Sequence, residues 1–120
     1  MRDLVKLISF DIDGTLEIGD PPGLVTFDVV LRAREQGCLV GSCSDRTINM
    51  QQRVWDRWGI AADFMVLKHQ LGDVKARFQA EEYYHVGDTD LDRFSAQRAG
   101  FKFVSADTAS QEPWGPPASV

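Results

Sequence analysis

The sequence predicts an α/β fold: a parallel sheet of about five strands with helices on both faces. Three observations predict it. Short apolar runs alternate with stretches of helical periodicity from one end of the chain to the other. The runs are apolar almost throughout, as in strands buried on both faces, rather than alternating apolar with polar. The polar residues capable of chemistry follow the ends of these runs, and ligands in parallel sheets bind outside the carboxyl ends of the strands.

The first run, Leu4 to Phe10, is broken only by Lys6 and Ser9. It leads into Asp11-Ile12-Asp13-Gly14-Thr15-Leu16. Acids at i and i+2 of a strand end point to one side. Their repulsion calls for a cation, and close carboxylates with main-chain carbonyls make a hard oxygen site suited to Mg²⁺. An EF-hand loop is excluded, because Pro22 stands where its closing Glu is required. Gly19, Pro21, Pro22 and Gly23 then forbid a long helix or a central strand.

Residues 24–36 place Leu24, Phe27, Val30 and Leu31 at helical spacing, with Gly37 as the stop. Residues 38–43 read as the second strand, running through Ser44-Asp45-Arg46-Thr47 into a helix that ends near Trp58. Met50, Val54 and Trp58, with Trp55 alongside, form the expected core-facing stripe of that helix. A serine between a strand and a helix start offers a hydroxyl and free N–H groups to a phosphate. Ser42 and Ser44 share a face, and Ser44 is preferred as the nearer to the carboxyl edge.

Residues 64–67 read as a third strand ending on Lys68, followed by a helix to Ala80 with Leu71, Val74 and Phe78 on its apolar side. Tyr83-Tyr84-His85-Val86 is the fourth strand, leading into Gly87-Asp88-Thr89-Asp90-Leu91-Asp92 and a helix stopped by Gly100. Thr89 and Asp92 have the spacing of a capping pair. His85, inside a strand, reads as structural, and His69 as a rim residue. Residues 101–104 form the last strand. The stretch after it, rich in Pro and Gly, reads as a flexible tail that Trp114 tacks down.

In its Asp-x-Asp-Gly-Thr-Leu run after a hydrophobic strand, and in the three later strand ends, the chain resembles the haloacid dehalogenase superfamily of phosphotransferases. The resemblance covers roughly residues 4–104. It implies a Rossmann-like sheet in the order 5-4-1-2-3. Asp11 becomes the nucleophile that forms an aspartyl-phosphate, and Asp13 the general acid and base. Ser44 and a lysine hold the phosphoryl group. Lys68 is preferred to Lys75, which stands about 7 Å further along a helix axis. Mg²⁺ is expected on Asp11, Asp88 and the main-chain carbonyl of Asp13, with Asp92 an acid behind it. The expected function is a Mg²⁺-dependent phosphatase acting on a phosphate monoester.

Two other functions suit the same fold. A phospho-receiver carries its acid at the end of the third strand, where this chain has Lys68. A non-catalytic binding domain does not need the full set of catalytic residue types. The resemblance also places small insertions, or a separate cap domain, after Leu16 and after Trp58, but both connections here are short. Residues 1–105 are therefore expected to form a capless catalytic core and 106–120 the tail. An open site of this kind takes a large substrate or is shielded by a second subunit of a homo-oligomer.

At 120 residues the chain is expected to be one domain with a real core. Its net charge of −5 argues against neutralising nucleic-acid phosphates. No stretch approaches the ~20 apolar residues of a membrane span, and no signal-peptide core is seen. Cys38 and Cys43, roughly 16 Å apart on an extended strand, are expected to be reduced thiols, consistent with a cytoplasmic protein.

Overall fold

Lys6–Phe10 forms β1, the central strand of a five-stranded parallel sheet. Its neighbours are β2 (Leu39–Ser44) and β4 (Glu82–Gly87). Outside them lie β3 (Phe64–Leu67) and β5 (Lys102–Ser105), giving the order β3-β2-β1-β4-β5. The chain is thus a Rossmann-like α/β fold in a computed structural model that describes residues 5–115; Leu4, placed in the first strand by its sequence, lies outside them.

The helices are α1 (Phe27–Glu35), α2 (Ile48–Trp58), α3 (Leu71–Arg77) and α4 (Asp90–Ala99). Alternation along β1 divides the core in two. Ile8 and Phe10 pack with Val29, Val30 and Ala33 of α1 and Val54 and Trp55 of α2. Leu7 packs on the other face with Leu71 and Val74 of α3 and Ala96 of α4. Among the described residues no helix is long and apolar enough to cross a membrane. Cys38 and Cys43 are free and buried, and burial pushes the Cys43 thiol up to about 12.

The helix limits show which local forces prevail. The α1 helix starts only at Phe27, because the Thr26 side chain caps Val29 N and the Glu17 carboxylate accepts from Phe27 N at 2.6 Å. Leu24 is left outside the helix and exposed. The α3 helix stops at Arg77 rather than Ala80, with Phe78 extended. The Tyr83 hydroxyl takes over the backbone there, donating to Phe78 O at 2.5 Å and accepting from Ala80 N at 3.0 Å. The Phe78 ring turns onto Phe64.

The expected stripe of α2 requires a larger correction. Met50 is exposed and Trp58 only half-buried, and the buried positions are Gln51, Val54 and Trp55. Gln51 is drawn in by polar groups. It accepts from Ser42 Oγ at 2.6 Å and donates to Arg46 O and Val66 O at 2.9 and 3.0 Å. Trp55 Nε1 donates to the same Ser42 hydroxyl at 3.0 Å. A fully bonded polar side chain can occupy a core position that hydrophobic periodicity assigns to a neighbour.

After β5 the chain stays on the sheet. Ala106, Ala109 and Trp114 are buried, and the Trp114 ring meets Phe10 and Tyr84 edge-on. Much of the expected tail is therefore packed, because a large aromatic surface finds an apolar seat. Residues 116–120 lie outside the described ones.

Candidate active site

Parallel register brings the chemistry to one edge. Phe10 pairs with Ser42 on one side and Val86 on the other, and Ser44 pairs with Leu67. The residues that follow these pairs (Asp11 after β1, Lys68 after β3, Asp88 after β4) leave the sheet at its carboxyl edge, beside Ser44 at the end of β2.

Asp11 is buried, and its main-chain N–H still donates to Val86 O at 2.9 Å. Its Oδ1 accepts from Ile12 N at 2.7 Å, and its Oδ2 lies 3.2 Å from Lys68 Nζ. Burial, and then the Asp92 charge, raise its pKa to about 7. Lys68 also lies 3.7 Å from Asp92 and 3.8 Å from the exposed Asp45. Burial opposes its charge, but the acids around it outweigh burial and hold it above the usual lysine value. Lys75 is elsewhere, exposed, with its ammonium on Gly100 O at 3.1 Å and over the Tyr83 ring.

Asp92 is fully buried and fully engaged. Its Oδ1 contacts His85 Nε2 at 3.1 Å, and its Oδ2 accepts from Asp88 N, Thr89 N and Thr89 Oγ1. Burial alone would raise its pKa, but the His85 contact and the neighbouring groups hold it well below the usual carboxylate range. Thr89 Oγ1 accepts in turn from Asp92 N at 3.1 Å, so Asp92 is at once a capping residue of α4 and part of the site. His85, set aside as structural by its position in a strand, is fully buried between Asp92 and Ser9, with Nδ1 3.0 Å from Ser9 Oγ.

One oxygen from each of Asp11, Asp88 and Asp92 fits within a span of 4.8 Å. Among the described residues the Asp88 carboxylate has neither a hydrogen bond nor an ion pair. Two glycines make the approach possible. A Cβ at Gly14, which has φ +75°, would lie 2.2 Å from Asp88 Oδ2. One at Gly87 would lie 2.3 Å from the Asp92 carboxyl carbon.

Asp13 contributes no side-chain oxygen to this group. It is paired with Arg46, whose Nε lies 3.1 Å from Oδ2 and whose terminal nitrogen lies 2.6 Å from Oδ1. It also accepts from Asp20 N at 2.8 Å. The Arg46 fork holds the Asp13 carboxyl below the usual range. Ser44 is buried, and its Oγ accepts from Arg46 N at 3.1 Å. Ser42, the other serine on that face, is occupied by Gln51 and Trp55 in the core.

Sequence reasoning missed Arg46 and the contact of His85 with Asp92. The signal for Arg46 was its place two residues after Ser44, on the loop assigned to phosphate. The signal for His85 was its inward position on a strand whose next turn carries Asp92. Compared with known proteins, the chain matches no family model and no curated protein.

Proposed function

We propose that this chain is a phosphatase that hydrolyses phosphate monoesters through an aspartyl-phosphate on Asp11, with Mg²⁺ as cofactor. The observation that carries the reading is the pairing of the buried Asp11 with Lys68 at 3.2 Å, beside the Asp88 carboxylate, which has no partner among the described residues. A nucleophilic carboxylate, a cation for the phosphoryl oxygens and a free hard-oxygen ligand stand together at one sheet edge. The resemblance of its strand ends to the haloacid dehalogenase superfamily supports the same reading.

The donor set suits Mg²⁺, since it is all oxygen and carries net negative charge. Asp11 and Asp88 would hold the ion with the Asp13 main-chain carbonyl, whereas Asp92, already engaged on both oxygens, keeps Asp88 and Lys68 in place. When bound, Mg²⁺ supplies positive charge that offsets the repulsion between acids and phosphate.

The chain's own residues supply the steps. An Asp11 oxygen bonds to phosphorus as the ester P–O bond breaks, and Asp13 gives its proton to the leaving oxygen. Asp13 then takes a proton from water as that water's oxygen attacks phosphorus, releasing phosphate and freeing Asp11. Ser44, Lys68 and main-chain N–H groups hold the phosphoryl oxygens throughout. The reduced, buried cysteines agree with a cytoplasmic protein. With no cap, the site takes a large phosphorylated substrate or is shielded in a homo-oligomer.

The test is phosphate release from a panel of phosphorylated metabolites, nucleotides and phosphopeptides, with Mg²⁺ and with EDTA. Release that needs Mg²⁺ and disappears in Asp11→Asn is expected. No release from any ester, and no acid-stable label on the protein from radioactive acetyl phosphate, would overturn the reading.

A further inference from the structure

Three clefts border the site. The largest, about 450 Å³, is entered beside Lys68, the residue on the nucleophile. A second, about 300 Å³, is lined by Asp88, Asp90 and Asp107 against a single Arg93, so its net charge is negative and disfavours an anion. The third, about 240 Å³, is lined by Ile18, Arg46, Met50, Arg53, Val54 and Arg57. Of these three, it alone is lined by a side chain that binds the Asp13 carboxylate, that of Arg46.

We infer that the third cleft binds the leaving group, and that this group carries a second anion, a carboxylate or a phosphate, on a short aliphatic stem. The inference rests on the proposed phosphatase chemistry for its direction. In an in-line displacement the leaving oxygen departs opposite the nucleophile, where the acid must reach it. Asp13 is that acid, and its guanidinium partner lines this cleft.

Charge sets the class of group. The chain as a whole carries −5, yet this cleft is lined by three arginines and no acid. Arg53 and Arg57 are exposed, and neither has an ion pair or a hydrogen bond among the described residues. The neighbouring Asp56 accepts from Gln52 at 2.8 Å instead of pairing with them. Met50, Arg53 and Arg57 stand at i, i+3 and i+7 on one face of α2, so both guanidinium groups reach the same side. Ile18 and Met50 supply apolar walls for a stem. This accounts for Met50, an apolar residue that α2 leaves exposed.

The test is equilibrium binding by calorimetry, in Mg²⁺, of three probes: propylphosphonate, 3-phosphonopropionate and propane-1,3-bisphosphonate. At least one of the two probes with a second anion is expected to bind about tenfold or more tightly than propylphosphonate, the effect of one or two charge-assisted hydrogen bonds. Which of the two gains more identifies carboxylate or phosphate. The double substitution Arg53→Ser with Arg57→Ser should bring all three within about threefold, with circular dichroism unchanged because both residues are exposed. Arg98→Ser, in the largest cleft, should keep the preference and so exclude a general charge effect. Equal binding of the three probes, or a preference that survives loss of both arginines, overturns the inference. If no ester is hydrolysed but the arginine-dependent preference remains, the anion site stands and the phosphatase reading falls.

Discussion

Arg46 grips both carboxylate oxygens of Asp13, at 3.1 and 2.6 Å, and so the acid and base assigned to leaving-group chemistry is held ionised in the resting site. In the proposed mechanism, ionised Asp13 would be ready as the base of the second step and would have to gain a proton for the first, so Arg46 would tune the two steps in opposite directions.

The pH dependence of turnover tests this. The acid limb governed by an ionised Asp13 lies below the ordinary carboxylate range, because Arg46 lowers its pKa. Arg46→Met removes the fork, so the limb should move up toward about 4. A limb that does not move would separate Arg46 from Asp13 during turnover.

Asp13 itself is tested by leaving groups. Asp13→Asn should slow phosphoenzyme formation on the order of 10²–10⁴-fold for alkyl phosphates. It should do so far less for nitrophenyl phosphate, whose leaving group is stable as an anion. With nitrophenyl phosphate, a burst followed by slow turnover is expected in rapid quench. Equal losses without a burst would leave Asp13 only a structural role.

The two lysines should separate cleanly. Lys68→Ala should cost on the order of 10²–10³ in turnover, as for loss of a group that stabilises transition-state charge. Lys75→Ala should cost little, since its ammonium holds Gly100 O at the surface. Steady-state kinetics on both variants gives the ranking, and the reverse order would move the phosphate site.

His85 positions Asp92. His85→Ala removes one hydrogen-bond partner of a fully buried carboxylate, a loss of about 1–3 kcal/mol. Loss of a residue that supports metal-site acids typically also lowers affinity about 10–100-fold. Denaturant melts and Mg²⁺ titration read the two effects separately. A stability loss with unchanged affinity would confine His85 to the core.

Asp11 sets a pH window for stability. Its folded pKa of about 7 lies above the ordinary value of 3.8, so the folded chain binds more protons than the unfolded one between them. The stability it contributes is full below the ordinary value and is lost as pH rises through about 7. Asp92 is depressed, so its contribution is lost only as pH falls below the ordinary carboxylate range. The metal-free melting temperature should thus fall between about pH 5 and 7.5, and the fall should shrink in Asp11→Asn. Saturating Mg²⁺ should offset it, by about 2.7 kcal/mol at a hundredfold excess over Kd. Equal slopes for both proteins would show that Asp11 titrates normally.

The amino-acid sequence by itself determined the α/β class and the alternation of strands and helices. It also determined which strand ends carry Asp11, Ser44, Lys68 and Asp88. These are local properties: apolar runs, helix stops such as Gly37 and Gly100, and acids placed within a few residues of a strand. Only the tertiary structure decided who meets whom. Arg46 and Asp13 are brought together by the pairing of β1 with β2, and His85 reaches Asp92 across a turn of backbone that local pattern does not measure. Gln51 displaced Met50 from the core because partners from β2 and β3 satisfied its amide, and hydrophobic periodicity has no term for such partners. Met50, Arg53 and Arg57 were left facing a cleft whose other wall, at Ile18, comes from a loop some thirty residues earlier in the chain. Long-range contacts depend on how helices settle on a sheet, and that packing is a property of the whole fold rather than of any one stretch.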